Sequence, residues 1–299
     1  MNSLLYTIIG PGLLIAATCI STGCNYAEKS IDSENVKHSS MSDTELISNE
    51  QNYIDHESTQ EPDFEEYSVN LGNNVRMRMV WIPGGSFMMG SPDSEDGGSS
   101  SERPQTEVSI EGFWIGKYEV TQAQYEEIMG NFWFAFEGDN NPAEMISWYD
   151  AVEFCENISY MTGDNYQLPT EAHWEYACRA GSETAFYWGA DDSRIGDYAW
   201  WGENSGNTTH IVGSKQPNAW GLYDMIGNVF EWTLTDYEGY PYVWDDGRND
   251  LTGDGMRVIR GWSCADGFNF TKNCRSAWRY PYSPDVQNYD LGFRCIRIP

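Results

Sequence analysis

The sequence has 299 residues and a formal net charge of -29 at pH 7, with 46 Asp and Glu against 17 Lys and Arg. This charge argues against nucleic acid and anionic membrane surfaces as partners, because their phosphate groups would be repelled. Aromatic residues make up 15% of the chain, and there are 29 Gly. That composition favours many turns and short elements over long helices.

The N-terminus predicts export. Residues 4–20 form an apolar run of 17 residues without a charge, and Ser21, Thr22, Gly23 and Cys24 follow it. This order is typical of an export signal ending in a lipobox, in which Cys24 becomes the lipidated first residue of a bacterial lipoprotein. No Lys or Arg precedes the run, so a cleaved signal peptide without lipid and a short uncleaved anchor are the alternatives. Each places the remaining chain outside the cytoplasm, facing the periplasm or the cell surface, where disulfides form.

Residues 25–70 are predicted to be a disordered acidic tether. Between residues 25 and 68 the chain holds twelve Asp or Glu against Lys29 and Lys37, and few large apolar residues. Such a segment buries too little apolar surface to offset the entropy lost on ordering. The predicted folded domain then covers residues 71–299.

The first predicted elements of the domain are strands. An apolar strand over residues 75–82 is followed by Pro83, Gly84 and Gly85 and by a second strand over residues 86–89, so a hairpin is expected. Residues 91–104 are rich in Ser, Gly, Asp and Glu and are predicted to form a loop. Residues 108–118 alternate well enough to form one strand.

Three helices are predicted next. Thr121 caps a helix that reaches Gly130, Ser147 precedes a second, and Thr170 caps a third that stops at Gly181. Beyond Gly181 no helical period lasts longer than about two turns, so aromatic loops and short strands are expected.

The segment from Gly221 to Trp232 has the pattern of a bend. It combines Asp224 and Glu231 with glycines and an Asn inside an apolar run. Acid side chains on either side of a turn that glycine permits bring carboxylate and carbonyl oxygens together, as a hard cation such as calcium requires. On spacing alone, the favoured interpretation is that both acids form caps or salt bridges in a loop.

The order of these segments resembles the formylglycine-generating enzyme, or sulfatase-modifying factor, family over about residues 75 to 298. The resemblance is carried by the segments at residues 79–90 (MVWIPGGSFMMG), 118–121 (YEVT), 168–181 (LPTEAHWEYACRAG), 221–232 (GLYDMIGNVFEW), 260–263 (RGWS) and 291–295 (LGFRC). It implies a single α+β domain related to C-type lectins, with little regular secondary structure.

The predicted domain contains an odd number of cysteines, at positions 155, 178, 264, 274 and 295. At most two pairs are therefore expected, and the sequence alone leaves every choice of pairs open. The resemblance implies a disulfide between Cys155 and Cys295. A second family bridge starts at the position of Cys178, but its partner position falls on Ser276. Cys274 is the predicted substitute, which leaves Cys264 over.

The enzymes of this family use two active-site cysteines that bind copper(I). In this chain the two positions fall on Asp266 and Thr271, and neither side chain can act as a redox thiol or bind copper(I). Ser263 and Arg279 match residues of that site, whereas Phe230 replaces an indole. We therefore predict that the chain does not make formylglycine and that copper is not a cofactor.

The remaining catalytic candidates are Cys264, Cys274, Ser263 and Arg279. Cys264 and Cys274 would form a relocated redox pair only if the chain brought them together, and the alternative is that both are structural. Iron is not expected. Two of the four histidines lie in the tether, and His173 and His210 lack the spacing of a metal site.

The resemblance also implies a calcium site. Its ligands would be the side chains of Asp224 and Glu231 and the carbonyl oxygens of Gly227 and Val229. A second family site requires an Asn where this chain has Trp200, so one ion is expected.

Two functions follow from these patterns. The first is a calcium-stabilised, non-catalytic binding or assembly module of the cell envelope, whose aromatic loops contact a protein, peptide or glycan. The aromatic segments concerned are residues 133–136, 200–201, 237–244 and 280–282. The alternative is an oxidoreductase that acts on a protein or peptide substrate through Cys264 or a bound metal.

Overall fold

The structure is a computed structural model that describes residues 64–253, 255–265 and 271–299. The predicted signal peptide with Cys24, most of the predicted tether and Asp266 lie outside these ranges. Within them, no helix has the length and apolarity needed to cross a membrane.

The regular elements are short and mixed in type, as predicted. The strands are β1 (Glu66–Gly72), β2 (Val75–Ile82), β3 (Gly85–Met89), β4 (Thr106–Ile110), β5 (Phe113–Gly116), β6 (Asn165–Gln167), β7 (Phe230–Asp236), β8 (Arg257–Arg260), β9 (Tyr280–Tyr282), β10 (Leu291–Gly292) and β11 (Ile296–Ile298). The helices are α1 (Gln122–Met129), α2 (Trp148–Thr162), α3 (Glu171–Arg179) and α4 (Ile195–Tyr198), with short 3-10 turns between elements.

The strands form three sheets. One sheet has the order β1-β2-β5-β11-β6, a second has the order β10-β7-β8-β9, and β3 pairs with β4 alone. The pairing of β10 with β7 is parallel, and the other named pairs are antiparallel. Because β11 lies between β5 and β6, the C-terminal residues join these two strands in the first sheet.

Two predictions about the early strands are wrong. β2 and β3 do not form a hairpin, because β2 pairs with β1 and β5 while β3 pairs with β4. The single strand predicted over residues 108–118 is two strands in different sheets. The break lies at Gly112, where a Cβ atom would sit 2.5 Å from the Trp81 side chain, so the chain turns where glycine gives it room.

The folded part also begins earlier than predicted. Residues Glu66 to Asn70, assigned from the sequence to the tether, belong to β1 and pair with β2. Val69 and Leu71 are buried while their neighbours are exposed, which is the alternation of an edge strand with one face on the core. Only Glu66 of this strand is acidic, and the strand directly follows the acidic segment assigned to the tether.

The helix caps follow the sequence. Thr121 and Gln124 form a capping box at α1, Ser147 and Asp150 form one at α2, and the Thr170 side chain accepts from the His173 amide at α3. Each cap satisfies amide groups that the first helical turn leaves without partners. The three predicted helices are confirmed.

Helix α3 is buried on every side. Its Glu171 and Glu175 pair with Arg260 of β8, and Glu175 also pairs with Arg179. Buried charges are tolerated when they are paired and hydrogen-bonded in this way. The network joins α3 to the second sheet and holds the middle of the domain together.

Candidate functional site

The segment from Gly221 to Trp232 bends as predicted and then enters β7. Asp224, Gly227 and Asn228 have φ values of 53°, 90° and 61°, so three positions adopt the left-handed region. At Gly227 a Cβ atom would lie 2.5 Å from the Trp200 carbonyl oxygen, which explains the glycine. The bend directs acidic side chains into the interior instead of toward solvent.

Asp224 is buried with one oxygen unpartnered. Its Oδ2 accepts from the Gly213 amide at 2.6 Å, whereas no hydrogen bond reaches its Oδ1. Burial raises the pKa of Asp224 to about 6. A buried carboxylate oxygen without a donor is the arrangement expected of a side chain that meets a cation.

Glu231 is buried and already engaged. Its Oε1 lies 2.7 Å from Arg294 Nη2, and its Oε2 accepts from Trp174 Nε1 at 2.9 Å. Glu119 is a third buried acid, and it accepts from the side chain of Asn228 and the amide of Val229. Its pKa is raised well above the usual range by burial and by the charges of Asp224 and Glu231.

The predicted calcium ligands therefore fit an ion in part. Arg294 is the buried guanidinium that acts on all three acids, and Lys215 also acts on Asp224. A cation would stabilise the ionised form of these acids, whose burial opposes it. Asp224 has an oxygen to offer, while Glu231 would share its carboxylate with Arg294. Among the described residues, no three His, Cys, Asp or Glu side chains converge as a metal site. An ion here would rest on Asp224, Glu231 and carbonyl oxygens, and its chemistry would be structural.

The five described cysteines are buried in the structure. Cys155 of α2 and Cys295 are brought together as the resemblance implied, with Sγ atoms 3.3 Å apart. Ser276, which occupies the family's cysteine position, faces Cys178 and lowers the pKa of that thiol, although burial has the larger effect and raises it to about 12. The disulfide pairing of Cys178 with Cys274 stays a prediction.

Ser263 forms a buried pair with an acid that the sequence did not single out. Its Oγ donates to Asp290 Oδ2 at 2.8 Å, and the Phe230 amide donates to the Asp290 carbonyl at 2.8 Å. Cys264 is next to Ser263 and fully buried. The Cys264 amide donates to the Asn228 carbonyl, and its own carbonyl accepts from the Ser205 hydroxyl at 2.6 Å. Ser263 is thus tightly packed beside the end of the bend at residues 221–232, to which the Cys264 amide connects it.

Arg279 is committed to a structural ion pair. Its Nε lies 2.6 Å from Glu171 Oε1, and its guanidinium lies between the rings of Tyr237 and Tyr240. In the structure its guanidinium is buried and paired, and a catalytic role for Arg279 stays a prediction. Thr271, at one of the two copper-ligand positions, begins a short 3-10 turn.

A groove of about 480 Å³ opens beside this region. It is lined mainly by aromatic and amide side chains, from Trp133, Phe136, Asn207, Gln287, Asn288 and Tyr289. Trp133 is 65% exposed, and the rings of Phe136 and Tyr289 pack edge to face with centroids 5.8 Å apart. The Asn207 amide donates to the Ser205 hydroxyl that bonds Cys264, so the groove adjoins the end of the bend.

The other aromatic segments singled out from the sequence are mostly packed. Trp201 is buried, and Trp200 stacks on His210 with ring centroids 3.8 Å apart. Trp244 is half exposed but contacts His173. Residues 133–136 are the predicted segment that lines the groove.

Glu144 is a functional candidate that sequence reasoning missed. It is fully buried behind the groove wall, where its Oε1 accepts from the Phe136 amide at 2.8 Å and its Oε2 has no hydrogen bond. Burial raises its pKa to about 7, and the charge of Asp290 adds to the effect. Asp290 Oδ1 also lacks a hydrogen bond, and burial raises the Asp290 pKa.

Comparison with known families decides the assignment. A family model described as "Sulfatase-modifying factor enzyme 1-like domain" matches residues 68–299. The chain belongs to this family. The expected fold of a single mixed α+β domain is therefore confirmed.

Similar proteins in the sulfatase-modifying factor family differ in what their names imply. Chaperone protein LppX of Paenibacillus barcinonensis is 33% identical over 215 residues, covering 55% of this chain and 74% of that protein. Mouse formylglycine-generating enzyme is 29% identical, with coverage of 73% and 74%. Bovine inactive C-alpha-formylglycine-generating enzyme 2 is 27% identical, with coverage of 76% and 90%. Among solved structures, Treponema denticola variable protein 1 superposes with a TM-score of 0.70 at 28% identity, covering 78% of this chain and 99% of that one.

Proposed function

We propose that this chain is a non-catalytic binding module of the cell envelope that holds a segment of another protein in the groove between Trp133 and Tyr289. The observation that carries the proposal is the groove itself. It presents an exposed indole, an aromatic pair and side-chain amides beside the Ser263 end of the bend. Rigid aromatic surfaces with a few polar groups are typical of sites that bind peptides.

The thiols support binding over oxidation. Every described cysteine is buried, and a reactive cysteine needs both access and a lowered pKa. The pKa of Cys178 is raised to about 12, and that of Cys155 is raised well above its usual range, both by burial. The sequence places Asp266 and Thr271 at the copper-ligand positions. Copper(I) prefers thiolates over carboxylate and hydroxyl oxygens.

The relatives are compatible with this proposal. One is named a chaperone and another an inactive member of the family, so catalysis is not required of the fold. A polypeptide ligand is favoured over a glycan because a relative named a chaperone acts on protein. The N-terminal apolar run and Cys24 support export and lipid anchoring.

Calcium is proposed as a structural ion of the bend. Asp224 and Glu231 would hold it with the carbonyl oxygens of Gly227 and Val229, and it would balance the charge of the buried acids. The support is the unpartnered Asp224 Oδ1 and the excess of acids over Arg294.

The binding proposal is tested with a library of random peptides displayed on phage, selected on the purified full-length chain. Selected peptides are synthesised, and their affinity is measured by calorimetry. Trp133→Ala and Tyr289→Ala should each weaken binding at least tenfold, because each removes a wall of the groove.

Tyr160→Ala is the matched control. Tyr160 is 93% exposed on α2 and does not line the groove, so its replacement should leave affinity unchanged. A screen that returns no binder, or binders indifferent to Trp133 and Tyr289, contradicts the proposal. Conversion of a peptide cysteine to an aldehyde would favour the oxidoreductase instead.

A further inference from the structure

Two buried acids, Glu144 and Asp290, lie beside the groove, and the charge of Asp290 acts on Glu144. Glu144 is fully buried and Asp290 is 5% exposed. Each has one carboxylate oxygen without a hydrogen bond, Glu144 Oε2 and Asp290 Oδ1. Polar atoms buried in this way are rare, because each forgoes its hydrogen bonds to water and gains none in return.

Nothing basic balances this pair among the groups that act on it. Glu144 is influenced by the amides of Phe136 and Ala135 and by Asp290. Asp290 is influenced by the Ser263 hydroxyl and by its own backbone. Other buried carboxylates form ion pairs with a guanidinium. Glu231 pairs with Arg294, and Glu171 pairs with Arg279. The carboxyl pair of Glu144 and Asp290 therefore differs from the structural ion pairs of the same domain.

The carboxyl pair adjoins the groove from two sides of the chain. Glu144 bonds the amide of Phe136 and precedes Met145, and both of these residues line the groove. Asp290 follows Tyr289, which also lines the groove but belongs to a different segment of the chain. The Met145 amide donates to the Asn288 carbonyl at 2.9 Å, so the segments that carry the two acids are joined next to them.

We propose that Glu144 and Asp290 form an acidic subsite that receives the basic side chain, Lys or Arg, of a polypeptide bound in the groove. This inference rests on the proposed function and names the class of ligand for that same groove. The side chain would pass the rings of Trp133, Phe136 and Tyr289, whose faces attract cations. Because both acids are buried behind the residues that line the groove, its head would displace part of that lining, at Phe136 and Met145, to donate to the two unpartnered oxygens. The net charge of -29 steers basic segments toward the protein.

The phage selection supplies the probes for this inference. The selected peptides should be enriched in Lys or Arg, and replacing that residue by Gln should weaken binding at least tenfold. Glu144→Gln and Asp290→Asn should each reduce the preference for Lys over Gln to less than threefold. The neutral variants keep the shape of the side chains, so a loss of preference reports charge.

Glu137→Gln is the matched control, because Glu137 is an exposed acid next to Phe136. It removes the same charge from the protein without touching the buried pair, so the preference for Lys should persist. A second measurement is the proton balance. Basic peptides should release protons from the wild-type chain at pH 7, seen as a calorimetric enthalpy that depends on the buffer, and Glu144→Gln should abolish the release.

The outcomes separate the two proposals. Peptides that bind through Trp133 with equal affinity for Lys and Gln overturn the acidic subsite and leave the binding module intact. A preference for Lys that survives in Glu144→Gln and Asp290→Asn also overturns it, because general charge attraction would then be sufficient. A screen without binders overturns both proposals.

Discussion

Replacing Glu144 by Gln should stabilise the protein at pH 8 and leave its stability nearly unchanged at pH 4.5. The reason lies in the pKa of the buried carboxyl, which rises from 4.5 to about 7 on folding. Because the folded-state pKa is the higher one, protonated Glu144 favours the folded state below pH 4.5. That advantage is lost as the pH rises through 7. Above this range the folded protein holds an ionised acid with no basic partner among the groups that act on it.

The size of the effect follows from the difference of about 2.5 pKa units. At about 1.4 kcal/mol per unit, ionised Glu144 costs about 3 kcal/mol of unfolding free energy above pH 7. A Gln side chain carries no charge, so the cost of ionising this buried position is removed. For a domain of this size, about 3 kcal/mol corresponds to a rise of roughly 5 to 10 °C in melting temperature.

The assay is thermal unfolding of wild-type and variant chains at pH 4.5 and pH 8, followed by calorimetry or circular dichroism. Exposed Glu137→Gln is the control and should change melting by no more than a degree or two at either pH, since surface charges contribute little. A rise that is equal at the two pH values, or no rise at pH 8, would refute the reasoning. Either result would mean that Glu144 is not a buried acid whose ionisation opposes folding.

Three further predictions test the rest of the site. EGTA should lower the melting temperature by several degrees in a chain purified with calcium, and Asp224→Ala should abolish the shift; identical melting with and without EGTA would exclude a structural ion. With copper(I) and a sulfatase-type peptide, mass spectrometry should find no aldehyde, and its appearance would show that Asp266 and Thr271 do not decide the reaction. Refolding under oxidising conditions should remove at least the two thiols of Cys155 and Cys295. It should raise the free energy of unfolding by about 4 to 5 kcal/mol, since the bridge would close a loop of about 140 residues, and an unchanged thiol count in denaturant would contradict it.

Local signals in the sequence were enough to locate α1, α2 and α3, although not the four-residue helix α4. Thr121, Ser147 and Thr170 stand where a side chain can cap the first turn, and each does so in the structure. Each cap joins two residues that are three positions apart, so both partners can be recognised in a short stretch of sequence. The bend at Gly227 was also predictable, because glycine and Asn tolerate the left-handed conformation that it needs.

Strand partners and the acidic subsite depended on distant parts of the chain. β3 follows β2 directly, yet β2 pairs with β5 more than thirty residues onward, and no local turn signal indicates this choice. Glu144 lies in a stretch that reads as ordinary loop. Its burial comes from the contact of Met145 with Asn288, which folding brings together across most of the domain. Neither the spacing of apolar residues nor the secondary-structure preference of each residue carries information about such a contact.

The structure also explains how this fold can lose a reaction and keep its shape. Glu231, Arg294 and Trp174 join β7, the C-terminal segment and α3 through buried charge-assisted hydrogen bonds, and removing one partner would strand a charge. Thr271, in contrast, is half-buried on a short turn outside this network, so the residue there can change with less effect on stability. Glu144 reverses this logic, because it is a core position that holds a destabilising acid. A Gln or an apolar residue would be more stable there, and local violations of this kind are expected where a site needs the group for binding. A basic ligand would account for the two acids, since it would give Glu144 and Asp290 the partner that the folded chain does not provide.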